Sequence, residues 1–445
     1  MDVIASIATP PGIGALGVLR VSGGGGLEAA RRFLSARGGK WEPRVATLCD
    51  ARDASGEPLD EALCVFFPGE SSPTGEDLVE VSAHGSPLIL GRILEAAVAA
   101  GARPARPGEF SQRAFLNGRL DLAQAEAVCD LIRARTDAAR RAALSQLRGG
   151  LSRELAATRA PLFELLVEVE ARLDHPDEDL PGVPPARASA LVSGAMSALE
   201  RLAASYAKGR VLSDGARVCL IGRPNAGKSS LLNALLGRER AIVCAQPGTT
   251  RDTLEEPAEF SGAPALLIDT AGLRESCVDA AEKIGLERAE AALGSADVAL
   301  LVIDGSRPED EEDRRVHARI RAAAGRLIPV VNKADVLDAC WERQPDALRV
   351  SAKAGTGVRE LERELARALG PADDATLVTS ARHHDALCRA AGALGAALET
   401  LSTPRWEDRF ARDVRDALDA LGEIDGAVTT EDLLGAVFSR FCVGK

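Results

Sequence analysis

The residues with the clearest chemical potential form a glycine-containing loop at 222–229, directly after the apolar run 218–221. Its sequence, GRPNAGKS, fits the pattern G-x-x-x-x-G-K-[ST] and leads into a helical stretch at 230–236. Glycines let backbone N–H groups curl around phosphate oxygens, and a helix N-terminus adds a positive partial charge. Lys228 would reach the β- and γ-phosphates of a nucleotide, and Ser229 would coordinate Mg²⁺. The loop therefore predicts a nucleoside triphosphate site.

Three further segments follow in order, each at the end of a predicted strand. The DTAG segment at 269–272 supplies an acid that can hold Mg²⁺ through water and a glycine that can meet the γ-phosphate. In the NKAD segment at 332–335, the carboxylate of Asp335 can accept hydrogen bonds from N1 and the 2-amino group of guanine, which adenine cannot donate. The SAK segment at 351–353 would cap the base. Together they resemble the small GTP-binding domain of the translation-factor class, and they predict GTP rather than ATP.

Two positions leave their chemistry open on the residues alone. Leu273 follows the DTAG segment, where Ras-like proteins carry a glutamine that orients the attacking water, and leucine cannot do this. Either hydrolysis is feeble or a polar group comes from elsewhere. The side-chain carbonyl of Asn225 could bind a monovalent cation beside the phosphates, or it could only stabilise the loop. The candidate acids downstream, each more commonly a solvated helix charge, are Glu275, Asp279, Glu282 and Glu287.

The apolar pattern divides the chain into three domains, one of which is interrupted. Residues 1–118 predict a mixed α/β domain, with strands at about 15–21, 62–67 and 78–82. Helical periodicity covers 119–212 and resumes over 372–445. Strand-like runs that alternate with helical stretches in 213–371 favour a doubly wound, mostly parallel sheet. The predicted fold class is multidomain α+β and α/β, with a P-loop GTPase domain inserted into a helical domain.

Composition excludes several classes of protein. The 445 residues exceed what a single core organises, and a net charge of −12 excludes a protein that coats nucleic acid through bulk positive charge. Nine scattered cysteines without a C-x-x-C pair favour neither a zinc ribbon nor a disulfide framework, and free thiols fit a reducing cytosol. No apolar stretch is long enough for a membrane span, and the N-terminus lacks the basic segment of an export signal.

The C-terminal letters FCVGK follow a predicted helix at 430–440, whose start carries a capping-box pattern at 429–432. They look like the C-x-G-K terminus of the tRNA uridine-modification GTPases, the MnmE/TrmE family. Four other segments also match that family: ATPPGIGALGVLRVSG near the start, GEFSQRAFLNGRLDLAQAEAVCDLI at 108–132, GRPNAGKSSLLNAL and PGTTRD. The resemblance covers essentially the whole chain, and the combination of these motifs is highly specific.

The resemblance implies a cytoplasmic GTPase that modifies tRNA. Family members form homodimers and act in a heterotetramer with a flavoprotein of the MnmG/GidA type. Together they install an aminomethyl or carboxymethylaminomethyl group on C5 of the wobble uridine (position 34) of certain tRNAs. A tetrahydrofolate derivative, in the 5-formyl or 5,10-methylene form, provides the one-carbon unit, and FAD and NADH act only through the partner. The N-terminal domain is similar to folate-binding domains and makes the homodimer, and two G domains that meet across a K⁺-stabilised interface switch on GTP hydrolysis.

The family's functional residues map onto this sequence one position at a time. Glu282, just before the run KIGLER, would orient or polarise the attacking water, and Cys442 would take part in the modification chemistry. Ser229 and Thr250 would hold Mg²⁺. The Asn225 side chain would bind K⁺ together with backbone carbonyls of Cys244, Gln246 and Thr249. The folate pocket would contain Arg20, Glu80, Arg119 and Lys445, with arginine at 119 where the family usually has lysine.

The expected GTP contacts comprise the phosphate loop, the loop at 244–250 and the three strand-end segments. Pro247 lies within that second loop, where it fixes φ and removes an N–H. The expected contact residues are Asn225, Ala226, Gly227, Lys228, Ser229, Ser230, Cys244, Ala245, Gln246, Pro247, Gly248, Thr249, Thr250, Asp269, Thr270, Ala271, Gly272, Asn332, Lys333, Ala334, Asp335, Ser351, Ala352 and Lys353.

A different class of function is a GTPase switch in ribosome assembly or signalling. Such proteins usually carry a basic RNA-binding module, and no module with a GxxG-type RNA clamp is evident. Residues 131–153 nevertheless hold six arginines and one acid, Asp137. This stretch is either a candidate tRNA contact strip or a solvated helix face. Because the chain as a whole is acidic, most of the affinity for tRNA is expected to come from the partner protein.

Overall fold

The computed structural model describes residues 2–175, 181–237, 255–269, 293–294, 296–323, 325–343, 347–370 and 378–444. The chain divides into two compact units. The first contains Met1–Cys129, Gln146–Met196 and Arg389–Lys445, and the second contains Asp130–Ser145 and Ser197–Cys388. Each unit combines a β-sheet with helices, so the mixed, multidomain fold class predicted from the sequence is confirmed.

Strands and helices follow one another along the described residues. The strands are β1 (Ile4–Ile7), β2 (Leu16–Ser22), β3 (Leu34–Ala36), β4 (Thr47–Arg52), β5 (Pro58–Phe67), β6 (Leu78–His84), β7 (Arg103–Pro104), β8 (Ala216–Ile221), β9 (Glu255–Phe260), β10 (Ala263–Asp269), β11 (Val298–Asp304), β12 (Leu327–Asn332) and β13 (Leu348–Arg349). The α-helices are α1 (Gly26–Phe33), α2 (Pro87–Ala99), α3 (Glu109–Leu116), α4 (Leu122–Arg133), α5 (Asp137–Leu147), α6 (Gly150–Asp174), α7 (Pro185–Ala204), α8 (Tyr206–Asp214), α9 (Lys228–Leu236), α10 (Glu311–Ala323), α11 (Val358–Leu369), α12 (Ala381–Thr400), α13 (Glu407–Asp425) and α14 (Glu431–Phe438). Among these described helices, none combines the length and the apolar character that a membrane crossing requires.

The sheet of the first unit has seven strands in the order β3-β4-β5-β6-β2-β1-β7. Neighbouring strands run antiparallel except β1 and β7, which are parallel. Alternate residues point to opposite faces of a strand. Leu19 and Val81, which are directly paired, therefore enter the apolar core together with residues of α1 and α2. Arg20 and Glu80, one position along, lie on the opposite face. The predicted strands at 15–21, 62–67 and 78–82 correspond to β2, β5 and β6.

A buried ion network joins the N-terminus to helix α3 in the first unit. Arg113 is almost fully buried, and its guanidinium donates to Glu76 at 3.0 Å, to Asp2 at 2.6 Å and to Glu109 at 3.2 Å. Arg103 donates to Glu109 at 2.6 Å. Burial opposes ionisation of Glu109, but hydrogen bonds from Arg103, the Arg106 backbone and Arg113 lower its pKa to about 2. Each buried charge is thus matched, as a low-dielectric interior demands.

Helix α6 packs along α13 in the first unit. Leu162 of α6 and Phe410 of α13 are fully buried, and Arg159 of α6 donates to Asp425 of α13 at 2.5 Å. Pro161 lies inside α6, where it removes one backbone donor from the helix. The helices predicted from the periodicity of 119–212 and 372–445 are therefore present here, and they pack through an apolar stripe with ion pairs at its edge.

The second unit contains a six-stranded sheet in the order β13-β12-β11-β8-β10-β9. Its strands are parallel except the edge strand β9, which runs antiparallel to β10. The central strands are buried on both faces, which explains their nearly continuous apolar sequences. This is the mostly parallel sheet that the alternation of strands and helices predicted. Its carboxyl edge is where loops from several strands meet.

Two segments that are far apart in sequence, around Ser205 and around Val378, meet in the second unit. The backbone N–H of Val378 donates to Ser205 Oγ at 3.1 Å. A Cβ at Gly209, one turn further along, would overlap the Val378 carbonyl oxygen, so only glycine allows this close approach. Residues 205–209 and 378 are therefore held side by side.

Candidate functional site

The predicted phosphate loop connects β8 to α9 at the carboxyl edge of the second sheet. Lys228, the first residue of α9, is buried and donates its Nζ to the carbonyl oxygens of Gly222 at 2.8 Å and Arg223 at 2.9 Å. Asn225 and Gly227 both have left-handed backbones, with φ of 64° and 90°. A Cβ at Gly227 would overlap the Asn332 side chain, so this position accepts only glycine. The ammonium group is thus held at the loop that would surround the phosphates.

Two oxygen-bearing side chains meet beside this loop. Ser229 Oγ donates to Asp269 Oδ2 at 2.7 Å. Asp269 ends β10 and is buried, and Ser230 follows as an exposed residue of α9. Hydroxyl and carboxylate oxygens suit Mg²⁺, which prefers hard oxygen ligands and keeps several of its waters. The pair therefore fits the expected magnesium position, with Ser229 as a direct ligand and Asp269 as the acid that acts through water.

The predicted base-recognition residues lie at the end of β12 and just after β13. Asn332 donates to the Ala226 carbonyl at 3.0 Å and accepts the Ala352 backbone N–H at 3.1 Å. It therefore connects its own loop after β12 to the phosphate loop and to the loop after β13. Ser351 Oγ donates to Asp335 Oδ1 at 2.6 Å and lowers the pKa of that exposed carboxyl. Asp335 is therefore an oriented, ionised acceptor with a free edge toward solvent.

Lys333 and its partner complete this part of the site. Lys333 has a left-handed backbone, with φ of 62°, and its Nζ pairs with Asp304 Oδ2 at 2.7 Å. Ala334 begins the short 3₁₀ turn Ala334–Val336, and Lys353 is exposed beyond Ser351. Asp304 is not among the residues predicted for the site, although an acid that directly follows the apolar run 298–303 is a signal of a strand-end site residue.

Several predicted site residues lie outside the described residues. They are Cys244, Ala245, Gln246, Pro247, Gly248, Thr249, Thr250, Thr270, Ala271, Gly272, Glu282 and Lys445. The predictions of a second magnesium ligand, a K⁺ loop and a glutamate for water activation fall on these positions.

A second group of predicted residues lies in the first unit. Arg20 Nε donates to Glu80 Oε1 at 2.8 Å across β2 and β6, on the face opposite the apolar core. Arg119 is exposed, and its Cγ would lie 3.3 Å from a Cβ built at Gly75. The preceding Thr74 bonds to Ser22, two residues along β2 from Arg20. The structure thus brings Arg20 and Glu80 into contact and places Arg119 beside a loop that touches the same strand.

The C-terminal tail packs against this N-terminal sheet. Gly444 has a left-handed backbone, with φ of 92°, and a Cβ there would lie 2.6 Å from the Ile7 carbonyl oxygen. Ile7 pairs with Leu19, the residue before Arg20. Cys442 is exposed, and its carbonyl oxygen accepts the Gly108 N–H at 3.3 Å. The tail therefore ends close to the strand that carries Arg20.

Helix α14 positions the tail, and its cap differs from the predicted one. Thr430 is the N-cap, and its side chain accepts the backbone N–H of Leu433 at 3.2 Å. The third helical position is therefore Leu433. Leucine has no carboxylate that could accept a hydrogen bond from the backbone N–H of Thr430, as a capping box requires. The predicted capping box is wrong in this respect, whereas the helix itself is present and its Phe438 is buried.

The phosphate loop, the Ser229–Asp269 pair and the carboxylate of Asp335 define a P-loop GTPase. A curated relative from Roseiflexus sp. (strain RS-1), named tRNA modification GTPase MnmE, is 46% identical over 463 residues, covering 100% of this chain and 99% of the relative. The chain belongs to the MnmE family of tRNA modification GTPases.

Further relatives and family models agree with this assignment. The MnmE proteins of Chloroflexus aurantiacus and Aquifex aeolicus are 48% and 42% identical over 457 and 450 residues, and in both cases 100% of each chain is covered. The model for the MnmE helical domain matches residues 122–442, and the model for the N-terminus of the GTP-binding protein TrmE matches 3–119. Among solved structures, the G domain of the T. maritima FeoB iron transporter matches 34% of this chain and 98% of its own, at 27% identity and a TM-score of 0.27.

Proposed function

We propose that this tRNA modification GTPase acts on the wobble uridine (position 34) of certain tRNAs. With a flavoprotein partner of the MnmG/GidA type, it adds an aminomethyl or carboxymethylaminomethyl group to C5, using a tetrahydrofolate derivative as the one-carbon donor. FAD and NADH act through the partner, in a heterotetramer. We propose three domains for this function. Residues 1–118 bind folate and form the dimer, residues 119–212 and 372–445 form the helical domain, and residues 213–371 bind GTP. The proposed location is the cytoplasm.

The packing of the C-terminal tail is the observation that carries this proposal. Gly444 contacts Ile7, whose strand partner Leu19 precedes Arg20, and Arg20 pairs with Glu80. The tail that carries Cys442 thereby packs through Gly444 against the sheet that bears an arginine and a glutamate, which can recognise a polar heterocycle. Arg20 offers donors and Glu80 offers acceptors, which together match the fused-ring amide of a folate. We therefore propose that the modification chemistry and the binding of the one-carbon donor both take place in the first unit.

The test of this function is the chemistry of the tRNA itself. In a strain that lacks the gene, mass spectrometry of purified tRNA nucleosides is expected to show loss of the C5 substituent at the wobble uridine. The wild-type gene should restore it. Unchanged wobble nucleosides in the deletion strain would contradict the proposal and favour the alternative, a GTPase switch in ribosome assembly or signalling.

The proposed GTP hydrolysis assigns a distinct task to each residue. Lys228 neutralises the β- and γ-phosphates, and Ser229 with Asp269 positions Mg²⁺, which withdraws charge from the phosphates when bound. Thr250 is the proposed second magnesium ligand, and Glu282 is proposed to orient the attacking water because Leu273 cannot. Asn225 is the proposed side-chain ligand of K⁺, with carbonyls of Cys244, Gln246 and Thr249. The exposed, left-handed Asn225 supports this, since its side chain is not consumed by packing.

Replacing Na⁺ by K⁺ at equal ionic strength is expected to raise GTP turnover about tenfold or more, because a fixed cation stabilises charge that develops on the phosphates. Asn225→Ala should remove most of this difference. Asn233→Ala is the matched control, since Asn233 is an exposed residue of α9 outside the loop. Phosphate release under steady-state conditions provides the measurement. Equal wild-type rates in the two salts would contradict the proposed K⁺ role.

Exposed apolar side chains support the proposed homodimer. Ile13, Leu16 and Leu88 are 95%, 66% and 75% exposed. Ile13 and Leu16 lie on either side of residues 14–15, and the Gly14 N–H donates to the Gly85 carbonyl at 2.9 Å. Leu88 follows Gly85 by three residues. The three side chains therefore come from adjoining segments at one end of the N-terminal sheet. Such a patch is costly in water and fits the surface of a second copy.

The proposed tRNA contact strip is solvent-accessible in the described residues. All of its arginines are exposed, and Arg140 pairs with Asp137 at 3.0 Å. Exposed guanidinium groups suit phosphate oxygens, which a helix surface can meet without base recognition. The arginines are Arg133, Arg135, Arg140, Arg141, Arg148 and Arg153.

A further inference from the structure

Arg223, the second residue of the phosphate loop, reaches a group of acids on the loop and first helical turn that begin α10. Its Nη1 donates to Asp310 at 2.9 Å and to Asp313 at 3.1 Å, and its Nη2 donates to Glu312 at 2.6 Å. The carbonyl oxygen of the same residue accepts the Lys228 ammonium at 2.9 Å. Arg223 therefore holds the acids with its side chain and the phosphate-binding lysine with its backbone.

The acids that Arg223 binds are themselves rigid. Asp310 and Asp313 form a reciprocal cap at the start of α10, because the Asp313 N–H donates to Asp310 at 2.7 Å and the Asp310 N–H donates to Asp313 at 3.1 Å. Arg307 pairs with both carboxylates, at 3.1 Å and 2.9 Å. The Asp313 backbone N–H and the Arg223 and Arg307 guanidinium groups hold the pKa of Asp310 at about 2. The anchor for Arg223 is thus a preformed cluster in which the pKa values of both aspartates are lowered.

The charge of this cluster is unfavourable for a phosphate site. Five consecutive acids, 309–313, stand at the start of α10, where the helix dipole stabilises them. Three of them touch Arg223, one residue from the phosphate loop's first glycine. Without Arg223, Asp310 and Asp313 would be left with Arg307 as their cationic partner among the contacts described, Glu312 would lose its pairing with Arg223, and the carboxylates would repel a nucleoside triphosphate. Arg223 therefore both anchors the loop and shields its ligand.

The same loop also contacts the base-recognition side of the site. The carbonyl oxygen of Arg307 accepts the indole N–H of buried Trp341 at 2.8 Å. The Gly305 carbonyl accepts the Asp338 N–H at 2.7 Å, and the Gly305 N–H donates to the Asn332 carbonyl at 2.9 Å. Residues 305–313 are thus fixed from two directions, by the loop after β12 and by Arg223. This gives Arg223 a rigid support instead of a flexible surface partner.

We propose that Arg223 is a positioning residue for nucleotide binding: by its bonds to Asp310, Glu312 and Asp313 it fixes the phosphate loop and screens the phosphates from these acids. It contacts neither the phosphates nor the water in this assignment. The inference rests on the proposed phosphate-binding role of residues 222–229, and it adds a residue that this role does not itself require.

The test compares GTP kinetics of full-length Arg223→Ala with those of Arg315→Ala. Arg315 lies on the same α10 and pairs with Glu311, but both side chains are 77% exposed and neither touches the phosphate loop. Arg223→Ala is expected to raise KM for GTP about tenfold with kcat reduced less than twofold, because the lost hydrogen bonds to charged groups would weaken nucleotide binding and leave the chemical step unchanged. Arg315→Ala should stay within twofold of wild type for both constants.

Two further variants separate positioning from general loss of structure. Arg223→Lys keeps the charge without the guanidinium fork and should raise KM about two- to fivefold. Asp313→Asn keeps the helix cap, and combined with Arg223→Ala it should raise KM less than the product of the two single effects. A KM within twofold of wild type in folded Arg223→Ala would overturn the proposal, as would an equal fall in kcat and kcat/KM.

Failure of the underlying site would give a different result. If wild type and Lys228→Ala bound a fluorescent GTP analogue equally, the phosphate-binding role of residues 222–229 would be wrong. If Lys228→Ala lost binding while Arg223→Ala kept it unchanged, only the role of Arg223 would be wrong. Circular dichroism of each variant verifies that the fold is retained.

Discussion

Asp335→Asn is expected to weaken GTP binding about 100-fold or more. The carboxylate would accept two hydrogen bonds from guanine, and each hydrogen bond to a charged group contributes about 1.5–3 kcal/mol, whereas 1.4 kcal/mol corresponds to a factor of ten. The Ser351 hydroxyl orients this carboxylate at 2.6 Å and lowers its pKa, so the acceptor is ionised before the base arrives. An amide presents a donor where the 2-amino group of guanine also donates.

Xanthine offers a direct check of this geometry. It carries a carbonyl in place of the 2-amino group, so the amide introduced by Asp335→Asn would donate to the base while its oxygen accepts N1–H. This variant should therefore regain turnover with xanthosine triphosphate, measured as phosphate release against GTP. Asp338→Asn is the matched control, since Asp338 lies three residues further and accepts the Cys340 N–H at 2.9 Å. Unchanged GTP affinity in Asp335→Asn would show that the base is read elsewhere.

Cys442→Ser is expected to abolish wobble-uridine modification while GTP turnover stays within about twofold of wild type. The reason is chemical: a hydroxyl is a far weaker nucleophile than a thiolate and ionises much less readily. Cys442 is exposed and belongs to the first unit, whereas the phosphate loop and Asp335 belong to the second. A role as nucleophile and a role as proton donor both require the sulfur.

Complementation of a deletion strain provides the measurement. Wild-type and variant genes are expressed at matched levels, and wobble nucleosides are quantified by mass spectrometry. Cys388→Ser is the control, because Cys388 is another exposed thiol in the described residues and lies on α12. Full restoration by Cys442→Ser would remove the proposed chemical role of this cysteine. Loss of GTP turnover in the purified variant would show that the substitution disturbs the other unit.

The sequence indicated which residues gather around the phosphate loop because their signals are local. A phosphate loop must follow a buried strand and begin a helix, and the residues around Lys228 do both. Asp269 and Asn332 end parallel strands, so sheet geometry alone brings them to one edge. The strand ends in the structure differ from the predicted ones by a few residues. Fraying and the neighbouring strand, and not the strand's own sequence, determine where the hydrogen-bonded ladder stops.

Contacts between distant loops could not be predicted in the same way. Arg223 and Asp313 are far apart in sequence, and each alone resembles an ordinary surface charge. Their meeting depends on β8 and β11 being neighbours in the sheet, which the letters do not specify. The strand order of the N-terminal sheet and the packing of Gly444 on Ile7 have the same origin. Tertiary placement, not propensity, creates these features.

The close approach of Val378 to Ser205 and Gly209 bears on how such a chain can arise. The intervening residues 206–377 leave and re-enter at almost the same point, so the ends of this segment need no spacer. Compact folds accept foreign segments most readily where the two junctions are adjacent. The helices on either side can keep their own chain path, whatever is spliced between them. The segment between Ser205 and Val378 thus has adjacent ends, which is the arrangement that lets a chain carry an insertion without moving the residues on either side of it.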